Sequence, residues 1–178
     1  MKVLMLGATG LLGSNLVRAL LARGDQVRAL IRPGHPRRVD VLSGLDIERT
    51  SGDLNDAESL MQACQGVRIV YQAASYYPSQ TIPVDVAVAQ ALKETHNLLS
   101  AVRRASPPVE RLVFTSVLTT IGFPKEPGRL ADEGCPFTPL FPKNPYLMSK
   151  AAMEQAVLDA ARGGLPIVVV NPTAFYGP

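Results

Sequence analysis

A chain of 178 residues is the size of one domain and can bury a substantial core. With 47% hydrophobic and 19% charged residues it has the balance of a soluble globular protein, and no apolar run reaches the ~20 residues a membrane helix needs. The net charge of +3 is scattered, with Arg37-Arg38 and Arg103-Arg104 the only adjacent basic pairs, which argues against a nucleic-acid partner.

In chain order, the first feature is a short apolar strand, Lys2–Leu6, that runs into Gly7, Gly10 and Gly13 and then an amphipathic helix. A tight turn free of Cβ atoms lets backbone approach a pyrophosphate, and the helix start turns its N–H groups and positive dipole end toward the same anion. The spacing is GxxGxxG, a variant of the commoner GxGxxG, and a strand-turn-helix without a ligand gives the same pattern, so later segments must decide. A secretory signal fits poorly, because the three glycines interrupt the apolar core and no convincing cleavage site follows.

The first helix carries Leu12, Leu16, Val17, Leu20 and Leu21 on one face and stops at Gly24. A second strand is expected at Gln26–Ile31, a third at residues 46–50, and then a short helix capped by Asn55. The fourth strand is expected at residues 67–71. A long helix follows, with Val84, Val88, Ala91, Leu92, Thr95, Leu98, Leu99 and Val102 at three- and four-residue spacing. The fifth strand is Arg111–Thr115. Residues 122–145 hold six prolines and are expected to be irregular. A final helix begins near Tyr146, and the sixth strand, Ile167–Val170, ends at Asn171-Pro172.

This alternation implies an α/β fold, a doubly wound parallel sheet of the Rossmann type with a ligand crevice at the carboxyl ends of its strands. Gly7, Asp53, Ala74, Ser116 and Asn171 all fall just after strands, which gathers them at that edge. Cys64 and Cys135 lack CxxC or metal-ligand spacing, so no metal site is expected and a reducing, cytoplasmic setting is the default.

Tyr146-Leu147-Met148-Ser149-Lys150 opens the last helix. Residues four apart share a helix face, so a phenol and an ammonium sit side by side, and the cation is expected to lower the tyrosine pKa toward neutrality. Tyr146 can then exchange a proton with a substrate oxygen. A helix-start aromatic packed on the preceding loop would show the same four-residue spacing.

Taken together, GATGLLG after the first strand, Gly52-Asp53-Leu54, Phe114-Thr115-Ser116, YLMSK, and Asn171-Pro172 with Tyr176-Gly177-Pro178 resemble the extended short-chain dehydrogenase/reductases, the NAD-dependent epimerase/dehydratase family. Residues 27–34 look most like its dihydroflavonol-reductase-like and nucleotide-sugar-epimerase branches. The resemblance covers the whole chain in order. It implies that Gly7, Thr9, Gly10, Leu11, Leu12 and Gly13 surround the pyrophosphate, Asp53 and Leu54 hold the adenine edge, and Ala73 and Ala74 line the nicotinamide ribose side. It further implies that Lys150 binds the ribose hydroxyls and tunes Tyr146, and that Pro172 and Thr173 sit near the nicotinamide. Arg32 stands where NAD-preferring relatives place an acid. Because arginine can bind a 2′-phosphate, with Arg37 or Arg38 assisting, NADP is expected over NAD. An Arg32 that is only solvated keeps NAD open.

Three departures bear on activity. Val117 replaces the hydroxyl residue that relatives use to polarise the substrate oxygen, leaving Ser116 or Thr119 as the substitute. Ala91 and Glu94 stand where relatives have asparagine and glycine in the long helix. The chain also stops at Pro178, before most of the substrate region of such relatives, so residues 1–178 are expected to be the cofactor domain of a longer protein. The expectation is an NAD(P)-dependent oxidoreductase or epimerase that moves hydride to or from a small-molecule carbonyl or secondary alcohol. Tyr146, Lys150 and Ser116 or Thr119 would be catalytic, a homodimer is allowed, and no membrane or nucleic-acid partner is expected. The rival reading is a regulatory protein that binds NADP and senses its redox state without turnover.

Overall fold

The computed structural model describes residues 1–34 and 39–177, so Arg37, Arg38 and Pro178 lie outside the described residues. Six strands, β1 (Lys2–Leu6), β2 (Gln26–Ile31), β3 (Glu48–Ser51), β4 (Ile69–Gln72), β5 (Arg111–Thr115) and β6 (Ile167–Val170), alternate with four helices. The helices are α1 (Leu11–Ala22), α2 (Ala57–Cys64), α3 (Val84–Arg104) and α4 (Pro145–Arg162). The strands are all parallel in the order β3-β2-β1-β4-β5-β6, the doubly wound arrangement expected from the sequence.

Period-two alternation in β1 divides the core between the faces. Val3 and Met5 join Val27 and Ala29 under Val17 and Leu20 of α1, whereas Leu4 and Leu6 join Val70, Leu112 and Phe114 beneath α2, α3 and α4. The strand order reverses between β1 and β4. That switch opens a crevice at the carboxyl ends, where Leu6 is in register with both Leu30 and Gln72.

Several sequence boundaries move. The third strand starts at Glu48 and the fourth at Ile69, each two residues later than expected. Asn55 does not cap α2. Asp56 does, accepting from the Glu58 and Ser59 N–H groups, while Asn55 turns its amide to Asp53 and Glu94. The two sheet edges differ. β3 carries Glu48, paired with Lys2 and Arg28 at 2.7 Å each, whereas β6 is wholly apolar, with Val168 and Val170 exposed. Among the described residues no helix is long and apolar enough to cross a membrane.

Candidate functional site

Gly7 leaves β1 at φ +82°, in the left-handed region, and a Cβ there would lie 2.6 Å from the Ala74 nitrogen. A Cβ on Gly13 would meet the Gly7 carbonyl oxygen at 2.0 Å. The exit of β1, the first turn of α1 and the loop after β4 therefore touch backbone to backbone. Gly10 N–H donates to the Gly7 carbonyl at 3.0 Å, and no side chain caps α1. The uncapped N–H groups of Leu11, Leu12 and Gly13 and the helix dipole are what a diphosphate requires, so the residues present fit a dinucleotide.

A cleft of about 640 Å³ opens from this turn. Gly7, Thr9 and Gly10 line it together with Arg32, Asp53, Leu54 and Glu94 and with Ala73, Ala74, Ser75 and Tyr77. Arg32 is 55% exposed at its side chain, with its Nε 3.9 Å from Asp53 Oδ2, a loose pairing that leaves the guanidinium fork available. Glu94, noted in the sequence only as a departure from the family pattern, accepts from Gln90 and Asn55 at 3.1 Å each. Burial raises its pKa and these two donors oppose the rise.

On α4, Asn144 accepts from the Leu147 N–H at 3.0 Å and Pro145 occupies the first turn, which fixes the helix start. Tyr146 and Lys150 then lie one turn apart, with Lys150 Nζ 5.8 Å from the centre of the Tyr146 ring. The ammonium donates to Ser75 Oγ at 2.8 Å, and the Tyr146 ring packs on Tyr77 with centroids 4.8 Å apart. Ser75 and Tyr77 both line the cleft, so α4 joins it through these two contacts. Lys150 is only 6% exposed, and burial pushes its pKa down from 10.5 to about 8.

The expectation that Lys150 lowers the Tyr146 pKa is corrected. Burial raises it above the ordinary value, and the neighbouring Tyr77 raises it further. The phenol accordingly keeps its proton at neutral pH, the form needed to protonate an oxygen.

The remaining expected residues are dispersed. Ser116 is buried, and its hydroxyl turns inward, 3.4 Å from Thr120 Oγ1, without lining the cleft. Thr120 donates to Glu154 Oε2 at 2.6 Å, and Asn171 Nδ2 donates to the same oxygen at 2.8 Å and to the Val117 carbonyl at 3.2 Å. Thr119 is exposed and borders a separate apolar cavity. Leu11 and Leu12 sit in the first turn of α1. The Pro172 carbonyl accepts from the Leu118 N–H at 2.9 Å, which ties the end of β6 to the turn after β5, and Thr173 is exposed.

Reading the sequence missed Ser75, Tyr77, Thr120 and Glu154. For Ser75 a signal existed, a hydroxyl directly after the Ala73-Ala74 pair at the crevice edge. The other three depend on pairings across the fold.

Known proteins carry the same pattern. The chain is 39% identical to sterol demethylase protein B of Methylococcus capsulatus, an alignment covering 100% of this chain and 52% of that protein. It is 39% identical to a Synechocystis sp. protein provisionally named a dihydroflavonol 4-reductase, covering 97% and 48%. The crystal structure of UDP-glucose 4-epimerase from Thermus thermophilus, in complex with NAD, superposes with a TM-score of 0.71 at 30% identity, covering 96% of this chain and 54% of that one. The chain thus spans about half the length of the relatives it matches. The model of the NAD dependent epimerase/dehydratase family matches residues 3–178, and with a turn built for a dinucleotide and relatives of this identity, the chain belongs to that family.

Proposed function

We propose that residues 1–178 form the cofactor-binding domain of an NAD(P)-dependent carbonyl reductase or epimerase of the extended short-chain type. The backbone contact among Gly7, Gly13 and Ala74 carries this reading, because only residues without a Cβ at positions 7 and 13 allow it and it brings the uncapped start of α1 to the cleft that Gly7 and Gly10 line. The N–H groups at the start of α1 hold the diphosphate, Asp53 and Leu54 face the adenine, and Ala73 and Ala74 flank the nicotinamide ribose. Lys150, held at Ser75, reaches the ribose hydroxyls. Pro172 and Thr173 belong near the nicotinamide. The exposed fork of Arg32 supports NADP over NAD.

When bound, the reduced nicotinamide supplies a hydride to an electrophilic carbonyl carbon. Tyr146 Oη gives its proton to the carbonyl oxygen, so the product is an alcohol. The Lys150 ammonium stabilises the phenolate left behind. Neither Ser116 nor Thr119 lines the cleft; the Ser116 hydroxyl is buried against Thr120, and the exposed Thr119 is the one left to substitute for the hydroxyl absent at Val117. Ketone reduction and sugar epimerisation share this hydride step.

The test is NADPH affinity, followed on the full-length protein by NADPH oxidation with ketones and by epimer formation from nucleotide sugars with the oxidised cofactor. Tyr146→Phe should lower kcat about 100-fold or more with cofactor affinity unchanged. Tight binding with no turnover, indifferent to Tyr146→Phe, would replace the enzyme with a cofactor-binding regulator.

A further inference from the structure

A second cavity of about 240 Å³ lies where the proline-rich segment folds back over the turn after β5 and the start of α4. Leu118, Ile121, Phe123, Phe137, Leu140 and Leu147 supply most of its wall, and its only side-chain hydroxyls are those of Thr119 and Thr138. No charged side chain lines it among the described residues; Lys125, Arg129 and Lys143 belong to the same loop but stay outside. The wall is fastened: Gly122 N–H donates to the Cys135 carbonyl at 3.2 Å, and Asn144 closes the loop onto α4.

Three features give this cavity an occupant. It lies against the start of α4, where Leu147 and Met148, the two residues after Tyr146, line it, and the Tyr146 ring packs on Tyr77 of the cofactor cleft. Thr119, the remaining donor for the substrate oxygen, lies on its rim. Its size suits a ring with a short substituent, because a cavity of ~150 Å³ accepts benzene. A nucleotide sugar would bring a diphosphate to a wall with no cation, which leaves that charge desolvated and unpaired.

We propose that this cavity receives the apolar, aryl or alkyl, portion of the carbonyl substrate, and that the enzyme therefore acts on hydrophobic ketones or aldehydes and not on nucleotide sugars. This rests on the reductase reading above and chooses between its two branches.

The experiment compares benzylacetone, butanone and UDP-glucose on the full-length protein, by saturation-transfer NMR for binding, by NADPH oxidation for turnover of the two ketones, and by NMR detection of the C4 epimer with the oxidised cofactor for UDP-glucose, whose epimerisation consumes no NADPH. Leu140→Glu, on the exposed rim, and Phe137→Ser, in the wall, are the variants. Benzylacetone should bind and be reduced with a kcat/KM about tenfold or more above butanone. Both variants should raise its KM about tenfold, leaving butanone turnover and NADPH affinity unchanged.

Turnover of UDP-glucose without benzylacetone, or benzylacetone kinetics indifferent to both variants, would overturn the proposal. So would a full-length protein whose own further residues fill the cavity, read as no saturation transfer to either ketone. Benzylacetone binding that Leu140→Glu weakens, with no NADPH oxidation by any carbonyl, would sink the reductase reading and leave the apolar site standing.

Discussion

The Lys150 ammonium is tied to Ser75 Oγ at 2.8 Å, which fastens α4 to the loop after β4 and keeps a nearly buried cation at the edge of the cleft. In the cofactor-free protein that charge is a cost to folding. An ordinary lysine titrates at 10.5 and Lys150 at about 8, so at pH 7 both the folded and the unfolded chain carry the proton and the folded form bears the whole desolvation penalty. As pH rises from 8 to 10.5 the folded state loses its proton first and stability increases. Urea unfolding of the wild type minus that of Lys150→Met should therefore rise by about 3 kcal/mol between pH 7 and 11. Cys64, whose thiol is pushed up to about 12 by burial, gives the opposite slope over that range and cancels in the difference. A flat difference would show that the ammonium is not desolvated.

Gly13→Ala introduces a methyl group 2.0 Å from the Gly7 carbonyl oxygen, a backbone atom with no rotamer to move. The loss should reach about 3 kcal/mol, at or beyond the upper end of ordinary overpacking. Displacing the helix start also removes the anion site, so NADPH should no longer raise the melting temperature, which calorimetry with and without nucleotide would measure.

Arg32→Asp replaces the guanidinium loosely paired with Asp53 by a second carboxylate. The ratio of NADP to NAD affinity should fall about 10- to 100-fold, the worth of one or two charge-assisted hydrogen bonds. An unchanged ratio by fluorescence titration would remove Arg32 from cofactor choice.

Asn171 donates to Glu154, to Thr120 Oγ1 at 2.9 Å and to the Val117 carbonyl, so a single amide ties the end of β6 to the turn after β5. Asn171→Ala should cost about 2 kcal/mol. Asn171→Asp sets a carboxylate against the Glu154 oxygen in place of a donor, so it should cost more than Asn171→Ala at pH 7. Equal stability of the two variants at pH 7 would contradict that contact.

The parts of the fold legible in the sequence are those set by local pattern. Apolar runs and the three glycines marked the strands, their order and the crevice, because each acts through its own residue type. Adjacent caps were harder to separate: Asn55 and Asp56 both favour a helix start, and only the tertiary partners Asp53 and Glu94 draw Asn55 away. The polar group of Ser116, Thr120, Glu154 and Asn171 draws on β5, α4 and the end of β6, and nothing in the spacing announces it. The Tyr146 pKa was not legible either, since burial and Tyr77 raise it and the lysine one turn away is engaged with Ser75.

The two sheet margins face solvent on unequal terms. Strand β3 offers an incoming strand the charged residues Glu48 and Arg49, Glu48 being paired with Arg28 of β2 and Lys2 of β1, which discourages edge-to-edge addition. Strand β6 offers Ile167, Val168, Val169 and Val170 with no charge, proline or bulge to guard its open hydrogen-bonding side among the described residues. Of the two margins, β6 is therefore the one that sets no charge of its own against a further strand laid beside it.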